Sequence, residues 1–204
     1  MLIAITGGIG SGKSVVSQLL RVMGYPVYDC DARAKWVMTH DALLRQQLTH
    51  LFGQDTYLTD ASHPDALPLL NKPYLSSRIF GNADALAQMN ACVHPALWRD
   101  LQSQYRASHS PYFFFESAIL YESGFDQLSH PDQVWTVSAP LPLRLERAMA
   151  RDHATREQIL ARIQSQLSQE EKEKRSGIVI HNDPEHSLIE QVSQTLHRLS
   201  SHRV

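Results

Sequence analysis

Short apolar runs and longer amphipathic stretches alternate along the chain. The apolar run "LIAIT" at 2–6 is typical of a strand buried on both faces of a parallel sheet. An apolar stripe at helical spacing begins near Lys13 and stops at "MGYP", where glycine and proline end a helix. "PVYDCD" at 26–31 predicts a second strand that finishes in two acids. Strand, helix and strand in about 30 residues indicate a βαβ unit.

The pattern from 32 to about 106 is mainly helical and carries few strand signals. A polar, proline-rich connector at 53–73 interrupts it. Pro95 is expected to start a new helix or to kink the existing one. This stretch therefore predicts a helical insertion into the α/β fold.

Strand signals return after the insertion. The runs at 111–117 and 133–139 are rich in aromatic and β-branched residues and predict two strands. Two helices separated by a polar break at 152–155 follow, then a last strand at 177–183 and a closing amphipathic helix at 187–199. With the two earlier strands, this order predicts an α/β fold around a five-stranded parallel sheet.

Composition limits the classes of partner. The chain has 204 residues and a mass of 23.1 kDa, enough for one compact domain with an inserted subdomain. Its formal net charge of −2 gives no general reason to bind nucleic acid or an anionic membrane, so any phosphate must be bound locally. Two cysteines, Cys30 and Cys92, are too few and too far apart for a disulfide framework or a zinc site. No apolar stretch approaches about 18 residues, and we expect a cytoplasmic protein with no membrane partner.

One glycine-rich segment carries a chemical signal. Gly7, Gly12, Lys13 and Ser14 fit the pattern G-x-x-x-x-G-K-[ST] between a predicted strand and a predicted helix. Glycines let backbone N–H groups point at a phosphate chain, and the start of the helix adds its positive dipole end. Lysine supplies a charge for the β and γ phosphates, and the serine hydroxyl can bind Mg²⁺. The alternative is a glycine-rich turn that only joins strand to helix, but the context of strand and helix, as well as the pattern, favours phosphate binding.

We call residues 7–14 the phosphate loop. It predicts a nucleoside triphosphate as ligand and Mg²⁺ as cofactor. The residues expected to contact the nucleotide there are Gly8, Ile9, Gly10, Ser11, Gly12, Lys13, Ser14 and Val15.

Two acids follow the second predicted strand. Alternate residues of an extended segment project to one side, so Asp29 and Asp31 are expected to face the same way beside the phosphate loop. Asp31 could then orient an acceptor hydroxyl and take its proton. Asp29 is expected to bind Mg²⁺ through water. The alternative for Asp31 is a cap on the helix that follows.

Arginines recur before the polar break. Arg144, Arg147 and Arg151 are spaced by three and four residues and share one helix face. Converging guanidinium groups can neutralise the charge that spreads over transferring phosphoryl oxygens. Pairing with neighbouring acids such as Asp152 is an equally open interpretation.

Several classes of nucleotide-binding protein fit less well. Asn71 and Lys72 form the only "NK" pair, and no aspartate stands where a guanine-recognition motif needs it. Motor and transporter ATPases need longer chains. A small-molecule kinase, whose helical insertion holds the acceptor, fits best. A nucleoside monophosphate kinase and a nucleotide-responsive binding module remain alternatives.

A wider resemblance rests on a series of motifs in order. These are "TGGIGSGKS", "YDCDARA", "SSRIF", "CVHPAL", "AILYESG", "RLERAMARDHATREQI" and "IVIHND". Together they resemble the dephospho-CoA kinase family over essentially the whole chain, to about Leu199. Some positions depart from the family pattern, because Glu116 stands where an aspartate is common, Ala118 replaces a proline and His181 replaces an aspartate.

The resemblance implies a fold and a reaction. The fold would be a three-layer sandwich of the P-loop type in one domain over 1–204, with a helical acceptor-binding subdomain at 32–106 and a lid at 144–156. The reaction would transfer the γ phosphate of ATP to the ribose 3′-hydroxyl of dephospho-CoA, with Mg²⁺, in a monomer or small homo-oligomer.

The resemblance also implies roles for single residues. Asp31 would be the general base, Lys13 and Ser14 would hold the phosphates and Mg²⁺, and Arg147 and Arg151 would be the charges of the lid. Asn182 would meet the adenine. The residues expected to contact the acceptor are Asp31, Arg78, His94 and Glu122.

Overall fold

The computed structural model describes residues 1–59, 62–63 and 66–201. Within them the chain forms, in order, β1 (Leu2–Thr6), α1 (Lys13–Val22), β2 (Val27–Asp29), α2 (Cys30–His40), α3 (Ala42–Phe52), β3 (Tyr57–Leu58), β4 (Leu69–Leu70), α4 (Lys72–Ile79), α5 (Ala83–Ala107), β5 (Phe113–Glu116), α6 (Phe125–Ser129), β6 (Gln133–Ser138), α7 (Leu141–Asp152), α8 (Arg156–Gln164), α9 (Gln169–Lys174), β7 (Ile178–His181) and α10 (Leu188–Ser201). The part of the predicted connector at 60–61 and 64–65 lies outside the described residues. Within the described part of the chain, every helix is too short or too polar to span a bilayer.

The chain divides into two compact units. The first contains Met1–Asp29 and the chain from Ser108 onward, and the second contains Cys30–Ala107. All five long strands belong to the first unit.

A parallel sheet organises the first unit. Its strand order is β2-β5-β1-β6-β7, and every neighbouring pair is parallel, which confirms the predicted five-stranded sheet. β1 lies at the centre, paired with β5 on one side and β6 on the other. The carboxyl ends of all five strands therefore meet at one edge, which is where ligands bind in open α/β sheets.

Helices cover both faces of this sheet. Inward-facing strand residues pack with α1 and α10 in one buried cluster, whose members include Ile3, Ile5, Phe114, Trp135, Val137, Val16, Leu20, Val192 and Leu196. On the other face, the rings of Phe115 and Phe125 meet edge to face with centroids 5.9 Å apart, and α9 packs beside β6. The central strands are buried on both sides, which is why they read as continuous apolar runs.

The second unit is helical. α2, α3 and α4 pack against the long helix α5. Arg33 of α2 makes two hydrogen bonds to the Asp100 carboxylate of α5, at 2.9 and 2.6 Å. The unit also contains the short antiparallel pair β3 and β4, which the polar connector gave no pattern to predict.

Of the two outcomes expected at Pro95, a new helix or a kink in the existing one, the new helix is wrong. α5 runs without a break from Ala83 to Ala107 and has Pro95 inside it. A proline removes one helical hydrogen bond. Buried residues on both sides of it, Val93 and Ala96 among them, keep the two halves packed against the rest of the unit.

The predicted extent of the second strand is also wrong. β2 stops at Asp29, and Cys30 already begins α2. Asp31 lies in the first turn of that helix, where a carboxylate is stabilised by the helix dipole. Asp29 and Asp31 are therefore not alternate residues of one extended segment.

Candidate active site

The phosphate loop joins β1 to α1 and depends on glycine. Gly10 and Gly12 have φ angles of 76° and 95°, which favour glycine. Gly12 is also the residue that caps the start of α1. A Cβ on Gly12 would collide with the side chain of Asn182, and one on Gly10 with the backbone of Arg144. The loop is thus closed from outside by other parts of the first unit.

Lys13 lies inside the loop. Its side chain is buried and its Nζ donates to the Gly8 carbonyl oxygen at 3.3 Å. The Ser11 amide donates to the same carbonyl at 3.1 Å. Ser14 and Val15 are exposed in the first turn of α1, and the Val15 amide donates to the Gly12 carbonyl at 3.0 Å. The arrangement presents a cation and the positive end of the helix dipole to an anion.

Asn182 and Arg147 flank the loop. The Asn182 side-chain amide donates to the Ser11 carbonyl at 2.8 Å, and its backbone amide donates to the Ser138 carbonyl at 2.7 Å. Nη1 of Arg147 donates to the Asn182 carbonyl at 3.1 Å. The structure therefore brings two residues expected at the nucleotide, from α7 and from the end of β7, to the phosphate loop.

Arg144 and Gln166 also reach the loop. Arg144 was expected from the sequence only as one of three arginines on a helix face, and Gln166 was not predicted as a site residue. Nε of Arg144 donates to the Ile9 carbonyl, and the Ile9 amide donates to Oε1 of Gln166, each at 3.0 Å. Burial lowers the pKa of Arg144, with Glu170 acting in the opposite direction. Gln166 carries no signal in the sequence, because it meets the loop only through folding of residues far apart in the chain.

Arg151 is placed differently from Arg147. Its Nε and Nη2 donate to the Asp152 carboxylate at 2.7 and 3.1 Å, and the side chain is largely exposed. Arg162 binds the same carboxylate at 2.9 Å. These donors lower the pKa of Asp152, that of Arg151 foremost. In this structure Arg151 makes the local ion pair that the sequence left open as an alternative.

Carboxylates at the sheet edge can serve a metal ion. Asp29 and Glu116 are register partners at the carboxyl ends of β2 and β5. Oε2 of Glu116 accepts from the Ser17 hydroxyl at 2.6 Å, one helical turn beyond Ser14. Glu116 was not predicted as a site residue, although a strand that closes on an acid beside β1 is a usable signal.

This donor set fits magnesium. Hydroxyl and carboxylate oxygens are the ligands it prefers, and it keeps several waters when it binds with a nucleotide. Among the described residues there is no cluster of three or more His, Cys, Asp or Glu that could form a metal cage. A magnesium site here would depend on Ser14, waters and phosphate oxygens.

Three residues expected at the acceptor lie in the second unit. Asp31 is in the first turn of α2. Arg78 is in the last turn of α4, with its guanidinium 5.0 Å from the centroid of the Tyr74 ring, and it borders a cavity of about 540 Å³. His94 is within α5, and burial lowers its pKa.

Glu122 has partners in the first unit. Its Oε1 lies 2.7 Å from Nζ of Lys172 and accepts from the Leu167 amide at 3.0 Å. The Lys172 side chain has no exposed surface and also donates to the Ala118 carbonyl at 2.9 Å. Burial lowers the pKa of Lys172, and Glu122 opposes that effect. These contacts favour an anchoring role for Glu122 over the acceptor contact that the resemblance implies.

Comparison with known proteins agrees with this geometry. Residues 1–187 match the family model described as dephospho-CoA kinase. A dephospho-CoA kinase of Bacteroides fragilis is 42% identical over 197 residues, which cover 95% of this chain and 90% of that protein. One of Porphyromonas gingivalis is 40% identical over 202 residues, covering 98% and 95%.

Solved structures show the same fold. A crystal structure of a protein from Thermus thermophilus superposes with a TM-score of 0.80 at 32% identity, covering 100% of this chain and 98% of that one. Shikimate kinase from Acinetobacter baumannii shares the fold with a TM-score of 0.54 at 14% identity, covering 100% and 94%. The family match extends over nearly the whole chain and includes the phosphate loop, Asp31 and Arg147. The chain belongs to the dephospho-CoA kinase family.

Proposed function

We propose that this chain is a phosphotransferase that moves the γ phosphate of ATP to the ribose 3′-hydroxyl of dephospho-CoA, giving CoA and ADP. The relative from Bacteroides fragilis, which is 42% identical and matched over 90% of its length, is named dephospho-CoA kinase. The observation that carries the proposal is the phosphate loop, closed around Lys13 by Asn182 and Arg147. We expect the enzyme to act in the cytoplasm as a monomer or small homo-oligomer.

The phosphate loop would hold the polyphosphate of ATP. Backbone N–H groups at the start of α1 and the Lys13 ammonium would bind the β and γ phosphates. Lys13 donates to Gly8 and would exchange that carbonyl for a phosphate oxygen. Its burial strengthens the attraction, because water screens the charges less there.

Mg²⁺ would be held by Ser14 directly and by Asp29 and Glu116 through waters. When bound, the ion neutralises charge on the β and γ phosphate oxygens. Ser17 holds one oxygen of Glu116 and so fixes the direction of that carboxylate. Asp29 is assigned to the same site because it is the register partner of Glu116 at the carboxyl ends of β2 and β5.

Asp31 would take the proton of the acceptor hydroxyl. A carboxylate within hydrogen-bond reach of the hydroxyl is the usual base in such transfers. The support for Asp31 is its residue type, its place two residues after Asp29 in the chain, and the resemblance to the family. Arg78 and His94 are proposed as further acceptor contacts.

Arg147 would stabilise the charge of the transferring phosphoryl group or of the neighbouring nucleotide. Arg147 is better placed for this role than Arg151, because Arg147 contacts Asn182 beside the phosphate loop. Arg151 would have to exchange Asp152 for a phosphate oxygen when α7 and α8 close over the nucleotide. Asn182 would meet the adenine while holding Ser11.

An acceptor panel tests this proposal. Purified protein is incubated with ATP and Mg²⁺ and, separately, with dephospho-CoA, nucleoside monophosphates or shikimate, and release of ADP is followed. We expect release to accelerate with dephospho-CoA alone. Equal rates with dephospho-CoA and with no acceptor would contradict the assignment of substrate. A nucleoside monophosphate kinase would instead respond to a monophosphate, and a binding module would respond to no acceptor.

A further inference from the structure

One residue of the phosphate loop, Ile9, is held on three sides. Its side chain packs on the buried cluster of Leu145, Ala148 and Ile159, which joins α7 to α8. Its carbonyl accepts from Arg144, and its amide donates to Gln166. We call α7, α8 and the turn between them the α7–α8 hairpin. Arg144 lies near its beginning, and Gln166 lies two residues beyond its end.

The contact with Gln166 fixes one peptide group. The peptide between Gly8 and Ile9 offers its carbonyl to Nζ of Lys13 at 3.3 Å and its N–H to Oε1 of Gln166 at 3.0 Å. Gly8 has no Cβ, so its backbone could otherwise rotate at little steric cost. With both ends bound, the peptide cannot turn without breaking a hydrogen bond. Gln166 therefore sets the direction in which the loop holds the lysine that binds phosphate.

Gln166 is itself held in place. The amide of the next residue, Leu167, donates to Oε1 of Glu122 at 3.0 Å. The same oxygen is 2.7 Å from the fully buried ammonium of Lys172. A side chain on a segment fixed in this way loses little conformational freedom when it binds the loop.

We propose that Gln166 is a positioning residue for the phosphate loop, with Arg144 as its counterpart on the other side of Ile9. Both act on the loop backbone and not on the nucleotide. They come from opposite ends of the α7–α8 hairpin, so the same contacts couple the hairpin to the loop. This inference rests on the proposed binding of a nucleoside triphosphate at that loop.

The substitution Gln166→Met tests the role of the amide oxygen. Methionine keeps the length and approximate volume of the side chain but lacks an acceptor of comparable strength. We expect binding of ATP and of ADP, measured by calorimetry with Mg²⁺, to weaken about fivefold, the effect of losing one hydrogen bond. The unfolding temperature without nucleotide should stay near that of the wild type. Gln164→Met, at the exposed end of α8, is the matched control and should leave both affinities unchanged.

A double-mutant cycle tests whether Arg144 acts through the same residue. Arg144→Gln and Gln166→Met each release one side of Ile9. If both act there, the double variant should lose clearly less ATP affinity than the product of the two single losses. Losses that simply multiply would overturn the joint role of Arg144.

Two results would overturn the role of Gln166. One is a Gln166→Met variant whose ATP and ADP affinities equal those of Gln164→Met. The other is a lowered unfolding temperature with unchanged affinities, which would show a purely structural role. The binding and unfolding measurements are made without dephospho-CoA or any other phosphoryl acceptor. A wild-type chain that binds ATP but does not phosphorylate dephospho-CoA would therefore contradict the proposed reaction and leave the role of Gln166 standing.

Discussion

Lys13 and Arg144 are both buried beside the phosphate loop, and Arg144 makes no ion pair of 4 Å or less with a carboxylate among the described residues. Buried cations are costly unless something compensates them. A polyphosphate bound at the loop would stabilise the Lys13 ammonium further, because this side chain reaches into the loop. Arg144 donates to the carbonyl oxygen of Ile9 instead and so acts on the loop backbone. The net charge of −2 hides this local concentration of positive charge.

The substitution Asp31→Asn tests the assignment of the base. Asparagine keeps the shape of the side chain but cannot take a proton, so kcat should fall about 100- to 10,000-fold. ATP affinity should change by less than about twofold, because the base acts on the acceptor. Steady-state kinetics and calorimetry measure the two quantities. Asp55→Asn, an acid of the same unit outside the proposed site, is the control. Normal turnover of Asp31→Asn would remove the assignment.

His94 gives the stability of the protein a dependence on pH. Burial lowers its pKa below the ordinary 6.5, so the unfolded chain binds a proton more readily than the folded one. Its contribution is fully present above pH 6.5 and is lost as the pH falls toward the folded-state value. Urea unfolding at several pH values between 5 and 8 should show a weaker decline for His94→Gln than for the wild type. Identical curves would contradict this role.

Among the helices, α7 and α8 link most of the parts of the proposed site. Arg144 and Arg147 of α7 both contact the surroundings of the phosphate loop, and α8 leads into the segment that carries Gln166. The capping box of Thr155 and Gln158 starts α8 sharply after α7 ends at Asp152. The start of the second helix of the hairpin is therefore well defined, and the cluster of Leu145, Ala148 and Ile159 packs the two helices together.

The buried pair of Lys172 and Glu122 anchors the segment that follows α8, because Glu122 also accepts from the Leu167 amide. Lys172→Met removes the cation and leaves a carboxylate with little water around it, so the free energy of unfolding should fall by about 3 kcal/mol. Changing both residues, to methionine and leucine, should recover part of this loss, because no unpaired charge remains. Urea denaturation measures the differences.

Lys174 provides the control for that measurement. Lys174 lies on the same helix as Lys172 and is exposed. Lys174→Met should lower the free energy of unfolding by less than about 0.5 kcal/mol. Equal stabilities of Lys172→Met and Lys174→Met would show that the buried pair does not anchor the segment.

The sequence predicted elements well where burial dictates their pattern. β1, β5 and β6 are apolar because helices cover both faces of the sheet. α1 follows a loop whose glycines and lysine are together explained by phosphate binding. The element boundaries predicted from the sequence were wrong where tertiary packing overrides local preference. Pro95 lies inside a long helix, and the second strand gives way to α2 at Cys30.

The site was predictable only in part for a related reason. The loop residues are contiguous and carry a motif, so they could be named from sequence. Glu116, Arg144 and Gln166 act through contacts with residues distant in the chain. Periodicity placed Arg144 on a helix face with Arg147, but it reported none of these contacts and gave no signal for Gln166.

Taken as one protein, the chain combines a nucleotide-binding sheet unit with a helical unit that carries the proposed acceptor contacts. A kinase of this kind must transfer phosphate to its acceptor and not to water. The stoichiometry of the products reports on that requirement, because hydrolysis and transfer both yield ADP while only transfer yields a new phosphate ester.

A product analysis can decide the proposed reaction. The wild-type protein is incubated with ATP, Mg²⁺ and dephospho-CoA, ADP is quantified, and the acceptor is examined by mass spectrometry and phosphorus NMR. We expect one CoA, phosphorylated at the ribose 3′-position, for each ADP formed. ADP that appears with inorganic phosphate and without a new ester, or no ADP at all, would contradict the proposed function.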